Sequence, residues 1–326
     1  MIRGRYKMKL KLVYTVTIRP TAPYNFDYSV KNPSHYPTPL NRWELGKLWF
    51  SFRFKNKLLG IKFVNQGTIS KPKIKAELYY KSKLDKRYID VLLKELDYRF
   101  EFSKDYSYSE FYRKFEKDKL VGKVLQKFKG THSFCIEGLY EYLMIAILLQ
   151  NATIKRTVQM TNTLLEKYGD LIEFNGIKLY SIWKPERILK ASEAELRALK
   201  VGYRAKNFIR ATKNYLKVDE FAIRKLNDTN LRKELLKIYG VGPASVDYIM
   251  AGAFHRDILT TIPPWEAKIY SRLLGLKTKD PEKIMAFLDR RYGEHKAAVI
   301  GHLFMDISWK HMHERIEWME KLLPYA

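Results

Sequence analysis

The hydrophobic period changes once along this chain, and that change limits the folds open to it. From about residue 8 to residue 80, apolar residues alternate with polar ones, as in "KLKLVYTVTI" (9–18) and "KPKIKAELYY" (71–80). In the second stretch Ile74, Ala76 and Leu78 share one face, and Lys73, Lys75 and Glu77 the other. This is the period of strands that bury one face, and an antiparallel sheet is expected here. The intervening "YNFDYSVKNPSHYPTPLNRW" holds prolines that demand loop or turn. After about Tyr88 the spacing becomes helical, in "YIDVLLKEL", "YSEFYRKFEKD", "LVGKVLQKF" and "LYEYLMIAILLQ". A sheet followed by helices predicts an α+β protein with segregated layers: an N-terminal antiparallel β-sheet domain, then an all-helical core.

Local signals mark several helix ends. "TIKRTVQMTNTLLEKYG" stops at Gly169, and Ser192 with Glu195 has the spacing of a capping box opening "EAELRALKVG". Gly202 is expected to end that helix before "YRAKNFIRATKNYL" begins another. The C-terminal "HKAAVIGHLFMDISWKHMHERIEWMEKLL" suits long helices. Its histidines His302, His311 and His313 do not read as a metal site, because His311 and His313 face different sides of a helix. No metal is expected, and no repeat or low-complexity tract is present.

Composition narrows the partner. With 326 residues, 46% hydrophobic and 14% aromatic, the chain can bury more than one core. Lys and Arg number 61 against 35 Asp and Glu, a formal charge of +26 that attracts polyanions. A Lys-rich surface of the kind found in thermophiles would give the same count, so charge needs a motif beside it. The single cysteine, Cys135, rules out an intramolecular disulfide, a four-cysteine zinc site and a four-cysteine iron–sulfur loop, and reads as a core residue. The basic N-terminus is interrupted by Lys9 and Lys11 and reads as a strand rather than a signal peptide. The longest strongly apolar run, Tyr142 to Leu149, is too short to cross a bilayer. An intracellular protein with no membrane partner is expected.

The motif lies in "LLKIYGVGPASVDYIM" (235–250). "LRKELLKIYG" is amphipathic, Gly240, Val241 and Gly242 make a tight turn, and Pro243 stands where a first-turn proline is favoured in the helix "PASVDYIMAGAF". The amides from Gly242 through Pro243, Ala244 and Ser245 would head a helix, where free donors and the positive dipole end favour a phosphate. An ordinary helical turn would look the same locally. The charge of the chain favours the DNA-backbone reading.

With these residues in place, the chain resembles the helix-hairpin-helix DNA glycosylases, in the branch with 8-oxoguanine and 3-methyladenine glycosylases. "FSKDYSYSEFYRKFEKDKLVGKVLQKFKG" is similar to the family's passage from sheet to helices, and "GLYEYLMIAILLQNATIKRTVQMTNTLLEKYGD" to its helix, minor-groove loop and helix. "SEAELRALKVGYRAKNFIRATKNYL" resembles a further family signature, and the GVG hairpin follows in order. The resemblance implies a sheet domain over 1–103, a flanking helical domain from 104–135 and 255–326, and a central helical domain over 136–254 with the hairpin at 231–254.

It also implies roles. A glycosylase rotates the nucleotide out of the duplex, fills the hole and stabilises an electron-poor sugar. Asn151 in "LLQNAT" is the implied wedge, with Gln150 its neighbour; capping by Asn151 and Thr153 would suit the same residues. Family members that also cleave the strand carry a lysine where this chain has Ala244, so no Schiff base is expected. Lys237 and Lys268 do not match that position. The family's catalytic aspartate is absent from Ile262, Pro263, Pro264, Trp265, Glu266. Glu266 keeps the Pro-x-acid pattern and is the candidate acid, with Asp257 and Asp247 in reserve; stabilising the helix dipole would also explain Glu266. Aligning backward from "RLLG" would instead put Pro264 at the acid position. Trp265 is the leading base-pocket aromatic, then Tyr248, Tyr140 and Trp309.

The expected function is base excision from double-stranded DNA that contains a damaged purine, by a monofunctional, monomeric glycosylase without a catalytic cofactor. The resemblance also admits a monovalent cation at the hairpin and a prokaryotic, nucleoid-associated location. Two alternatives stay open: a catalytically silent protein that binds damaged DNA, and an RNA-binding protein using the same basic surface.

Overall fold

A computed structural model describes residues 7–31, 36–105 and 110–322. The first six residues and Tyr108–Ser109, at the head of one expected helix, lie outside them. Strands β1 (Lys7–Lys9), β2 (Lys11–Ile18), β3 (Asn41–Glu44), β4 (Lys47–Phe54), β5 (Lys57–Asn65) and β6 (Ile74–Tyr80) occupy the period-two region. One short helix, α1 (Phe26–Val30), interrupts the proline-rich segment. Strands β2 to β6 form a five-stranded antiparallel sheet in the order β2-β6-β5-β4-β3. Register puts Phe50 opposite Ile61 and Ile61 opposite Leu78, so one face carries continuous apolar pairs. Helix α2 (Lys86–Phe100) covers that face through Ile89, Leu92, Leu96 and Phe100.

The other face is not left to solvent. Strands β7 (Asp170–Phe174) and β8 (Ile177–Ser181) form a hairpin, with β1 parallel to β7, and Leu10, Trp49, Tyr79, Ile172, Phe174 and Leu179 pack between the two sheets. This explains why Glu77, expected on a solvent face, is buried and paired with Lys62 and Lys75. The hairpin interrupts the helical region, where helical periods alone were expected. Its signal is the turn Asn175–Gly176, whose φ angles of 48° and 74° are those of a two-residue hairpin turn.

Helices α3 (Glu110–Phe115) and α4 (Gly122–Lys127) follow the sheet layer. The next, α5 (Leu139–Leu149), buries every residue to Leu148 except Glu141; a helix apolar all round belongs inside a core. Around it stand α6 (Ile154–Tyr168), α7 (Pro185–Leu189), α8 (Glu193–Ala198), α9 (Arg204–Tyr215), α10 (Glu220–Ile223), α11 (Asp228–Leu236) and α12 (Pro243–Phe254). The Ser192–Glu195 capping box is formed, but α8 ends at Ala198 rather than at Gly202. The remaining helices, α13 (Pro264–Leu273), α14 (Pro281–Tyr292), α15 (Lys296–His313) and α16 (Glu317–Leu322), share an apolar cluster with Phe111, Phe115, Val121 and Leu125. Among the described residues no helix is long and apolar enough to cross a membrane.

Helices α5 and α12 meet closely because Gly252 has no side chain: a Cβ there would lie 2.1 Å from the buried Tyr142 ring. Gly252→Ala is therefore expected to displace that ring and cost about 1–3 kcal/mol. A urea midpoint equal to that of the parent chain would show that the contact yields freely.

Candidate active site and nucleic-acid interface

The helical hairpin begins at Asp228, three residues before the expected start at 231, because the Asn227 side chain caps α11 by accepting from the Asn230 N–H at 2.9 Å. Gly240 has φ +81°, a left-handed conformation that favours glycine. Val241 is buried and anchors the turn. Gly242 is different: its φ is −100° and a Cβ would meet nothing within 4 Å. The fold itself does not need a glycine there, and the bare position leaves room for an approach from outside. Pro243 and Ala244 are exposed, and the first-turn amides of α12 have no acceptor within the helix.

The loop after α5 is bound to this turn. The Gln150 side chain donates to the Gly240 carbonyl at 2.6 Å, which turns Gln150 toward the protein. A cation held by hairpin carbonyls would share that oxygen. Asn151, at φ +47°, is exposed, and its amide donates to the Tyr203 hydroxyl at 3.4 Å. Arg204 donates to the Ile147 carbonyl at 3.1 Å and to the Gln150 carbonyl, satisfying the open end of α5. Tyr203 and Arg204 were read only as a helix start. Their signal was the "GYRAK" motif itself. Arg210 lies 4.7 Å over the Tyr239 ring beside the hairpin, and Tyr203 and Tyr239 are both exposed. Basic and aromatic groups thus surround Asn151 and Gly242, as a surface for a strand of nucleic acid requires.

The acids of the connecting segment separate by environment. Asp247 is buried and ion-paired with Arg232; its oxygens also accept from the Thr260 N–H at 2.9 Å, the Thr260 hydroxyl at 2.8 Å and the Thr261 N–H at 3.2 Å. It ties the loop before α13 to the hairpin, and its lone pairs are occupied. Asp257 is exposed in that loop. Glu266, in the first turn of α13, has among the described residues one hydrogen bond, from the Tyr270 hydroxyl at 2.7 Å, and no ion pair. Burial and the neighbouring Asp247 charge push its carboxyl up to about 6, against the hydrogen bond from Tyr270. Such a carboxyl is ionised at neutral pH yet remains a usable base.

A cavity of about 470 Å³ opens where the sheet layer, α5, α12 and α15 meet. Its walls include Tyr36, Trp43, Tyr142, Tyr248, Ser308 and Glu137. The Tyr142 and Tyr248 rings lie 5.6 Å apart at 57°. Among the described residues the Tyr248 hydroxyl and the Ser308 hydroxyl have no hydrogen-bond partner. Burial pushes the Glu137 carboxyl up to about 7, with Glu141 adding to the rise. Of the four aromatics expected in a pocket, Tyr248 alone lines this cavity. Trp265 is 46% exposed on the first turn of α13, where adjacency in sequence to Glu266 does not carry its ring inward. Tyr140 faces Thr212, and Trp309 packs between Tyr28 and Trp43. Glu137 lacked any sequence pattern. Among the described residues no group of three His, Cys, Asp or Glu could hold a metal.

Comparison with known proteins agrees with this architecture. A family model described as "HhH-GPD superfamily base excision DNA repair protein" matches residues 144–294. The DNA-3-methyladenine glycosylase of Bacillus subtilis (strain 168) is 28% identical over 153 residues, 46% of this chain, and the match spans half that relative's length. A probable N-glycosylase/DNA lyase of Methanothermobacter thermautotrophicus is 24% identical over 241 residues, 67% of this chain and 76% of the relative. The structure of 3-methyladenine DNA-glycosylase from Archaeoglobus fulgidus superposes with a TM-score of 0.74 at 17% identity, covering 92% of this chain and 100% of that one. The Clostridium acetobutylicum 8-oxoguanine glycosylase/lyase, in complex with dsDNA, gives 0.66 at 18% identity, covering 94% and 98%. At these identities the two structures speak for the fold.

Because Gly242 can accept a side chain without clash or strain, Gly242→Val tests the anion cradle alone. Affinity for any duplex sequence is expected to fall about 10- to 100-fold, the worth of hydrogen bonds to a charged group, with an unchanged melting temperature. Unaltered affinity in a fluorescence-anisotropy titration would make the hairpin purely structural.

Proposed function

We propose that this chain, residues 144–294 of which match the family model of HhH-GPD superfamily base excision DNA repair proteins, is a DNA glycosylase that takes a damaged purine out of double-stranded DNA and hydrolyses its N-glycosidic bond. In this reading the amides at the head of α12 hold a backbone phosphate next to the lesion. Asn151 enters the vacated space in the stack, with Gln150, Tyr203 and Arg204 keeping its loop in place. The flipped base enters the cavity, where Tyr142 and Trp43 offer π faces to stack on it and the Tyr248 hydroxyl stands at its edge.

Glu266 would work at the sugar. Its negative charge stabilises the developing positive charge at C1′, and it orients a water whose oxygen bonds to C1′ as the bond to the base breaks. The water's proton passes to the carboxylate and the electron pair leaves with the base. The observation that carries this assignment is a half-buried carboxylate with a raised pKa and no cation beside it, at the start of the helix after the hairpin. Asp247 is fully engaged and cannot take the role without releasing the loop. Ala244 offers no amine, Lys237 is exposed and paired with Glu234 at 2.6 Å, and Lys268 is exposed. Base release without strand cleavage is the consequence.

A panel of duplexes, each with one lesion, tests this by scoring base loss with and without alkali. Cleavage is expected only after alkali. The rate should fall as pH drops through about 6, because protonation removes the base form of Glu266. Glu266→Gln should lose on the order of 100-fold or more in base release while binding duplex as before. Full activity in that variant would remove Glu266 from the mechanism. Strand cleavage without alkali would reveal a lyase, and tight binding with no base loss would favour a silent damaged-DNA-binding protein.

A further inference from the structure

The polar atoms of the cavity are arranged around a single carboxylate. Glu137 stands two residues before α5, and its backbone carbonyl accepts from Arg99. The remaining donors of Arg99 go to Glu95 and Glu220, and among the described residues the Glu137 side chain forms no ion pair, although Lys31 and His311 also line the cavity. Tyr36, Tyr142 and Tyr248 lie near enough for its charge to act on their hydroxyls. A carboxylate in this position, beside a Tyr248 hydroxyl with no hydrogen-bond partner among the described residues, is an arrangement that a polar ligand would stabilise.

The aromatic walls would stack on any base and do not discriminate. The polar edge does. A guanine ring presents, side by side, one acceptor (O6) and two donors (N1–H and N2–H). An adenine ring presents a donor at N6 and an acceptor at N1. Above pH 7 the Glu137 carboxyl is ionised and only accepts, through two oxygens, and a tyrosine hydroxyl can donate. Glu137 and Tyr248 together therefore match the guanine edge, whereas the adenine N1 lone pair would face a negative oxygen. A buried group left unpaired by the wrong base is what makes such a site selective.

We propose that Glu137 selects guanine-derived lesions over adenine-derived ones, accepting from N1–H and N2–H of the flipped base while the Tyr248 hydroxyl donates to O6. This rests on the glycosylase reading for the biological substrate, but the recognition chemistry belongs to the cavity and can be measured without catalysis. Glu137→Gln replaces two acceptors by one acceptor and one donor, the complement of adenine.

Two assays on the full chain are needed. One measures equilibrium binding of 2′-deoxyguanosine and 2′-deoxyadenosine by tyrosine fluorescence. The other measures base release from duplexes carrying 8-oxoguanine or 7-methylguanine against 3-methyladenine or 8-oxoadenine. The parent chain is expected to favour the guanine member, and Glu137→Gln to lower that preference about 10- to 100-fold, the discrimination of a bidentate base contact. Tyr248→Phe, a milder change, should reduce it in the same direction. Adenine preference in the parent chain, or a ratio unchanged by Glu137→Gln in whichever assay gives a signal, overturns the proposal. Nucleoside selectivity without base release from any duplex would leave Glu137 in its role and discard the glycosylase reading. Base release indifferent to Glu137 would do the reverse, and silence in both assays would discard both.

Discussion

Arg99 is a charge buried at the seam between the sheet layer and the helical core, and the site is placed by how that charge is neutralised. It lies on α2, donates to Glu95 at 2.7 Å and reaches Glu220 on α10 at 3.4 Å. Arg224 binds both of those acids, at 2.8 Å and 2.6 Å. Breaking a buried pair of this kind costs about 3–5 kcal/mol, because the surviving charge has no water to turn to. Glu220 also accepts from the Leu139 N–H at 3.3 Å, and Glu141 from the Gly138 N–H at 3.1 Å. The network therefore caps α5 as well as joining two layers. It fixes Glu137, two residues before that helix, by its carbonyl.

From that fixed start α5 acts as a rigid ruler. Eleven residues at 1.5 Å each give about 16 Å between its ends. Near its first turn are Glu137 and Tyr142 in the cavity; at its last are Gln150 and Asn151, bound to the hairpin through Gly240. In the proposed reading, base recognition and duplex opening would thereby be set apart by the length of a helix buried in its core. Gly252 lets α12 lie against this ruler, so the hairpin and the Tyr248 wall share one element. The net charge of +26 would bring the nucleic acid to this face, and the uncharged turn at Gly242 lets the backbone come close.

The surroundings of α13 set the charge state of Glu266, the acid proposed to work there. The loop between the hairpin and α13 is pinned by Asp247, which uses its oxygens on Thr260 and Thr261. Glu266 is then left with Tyr270 alone, in partial burial and beside a fixed negative charge. Burial and that charge raise its pKa, against the hydrogen bond from Tyr270.

The layer order, the helical hairpin, the capping box at Ser192 and the missing lysine at Ala244 were all legible in the chain, because they depend on local periodicity, turn chemistry and residue identity. The β7–β8 hairpin was legible in principle from Asn175–Gly176 but stood inside a region read for helical spacing. The cavity was not legible. Tyr36, Trp43, Glu137, Tyr142, Tyr248 and Ser308 are scattered over most of the sequence, and what unites them is the meeting of layers held by the Arg99 network. The same holds for the fates of three neighbours in chemistry: Asp247 bound, Glu266 unpaired by any cation, Trp265 turned to solvent. Sequence determined which groups this protein possesses and the period on which each element is built; burial and pairing, which are properties of distant segments brought into contact, decided which of those groups are left with unused hydrogen-bonding capacity in a cavity.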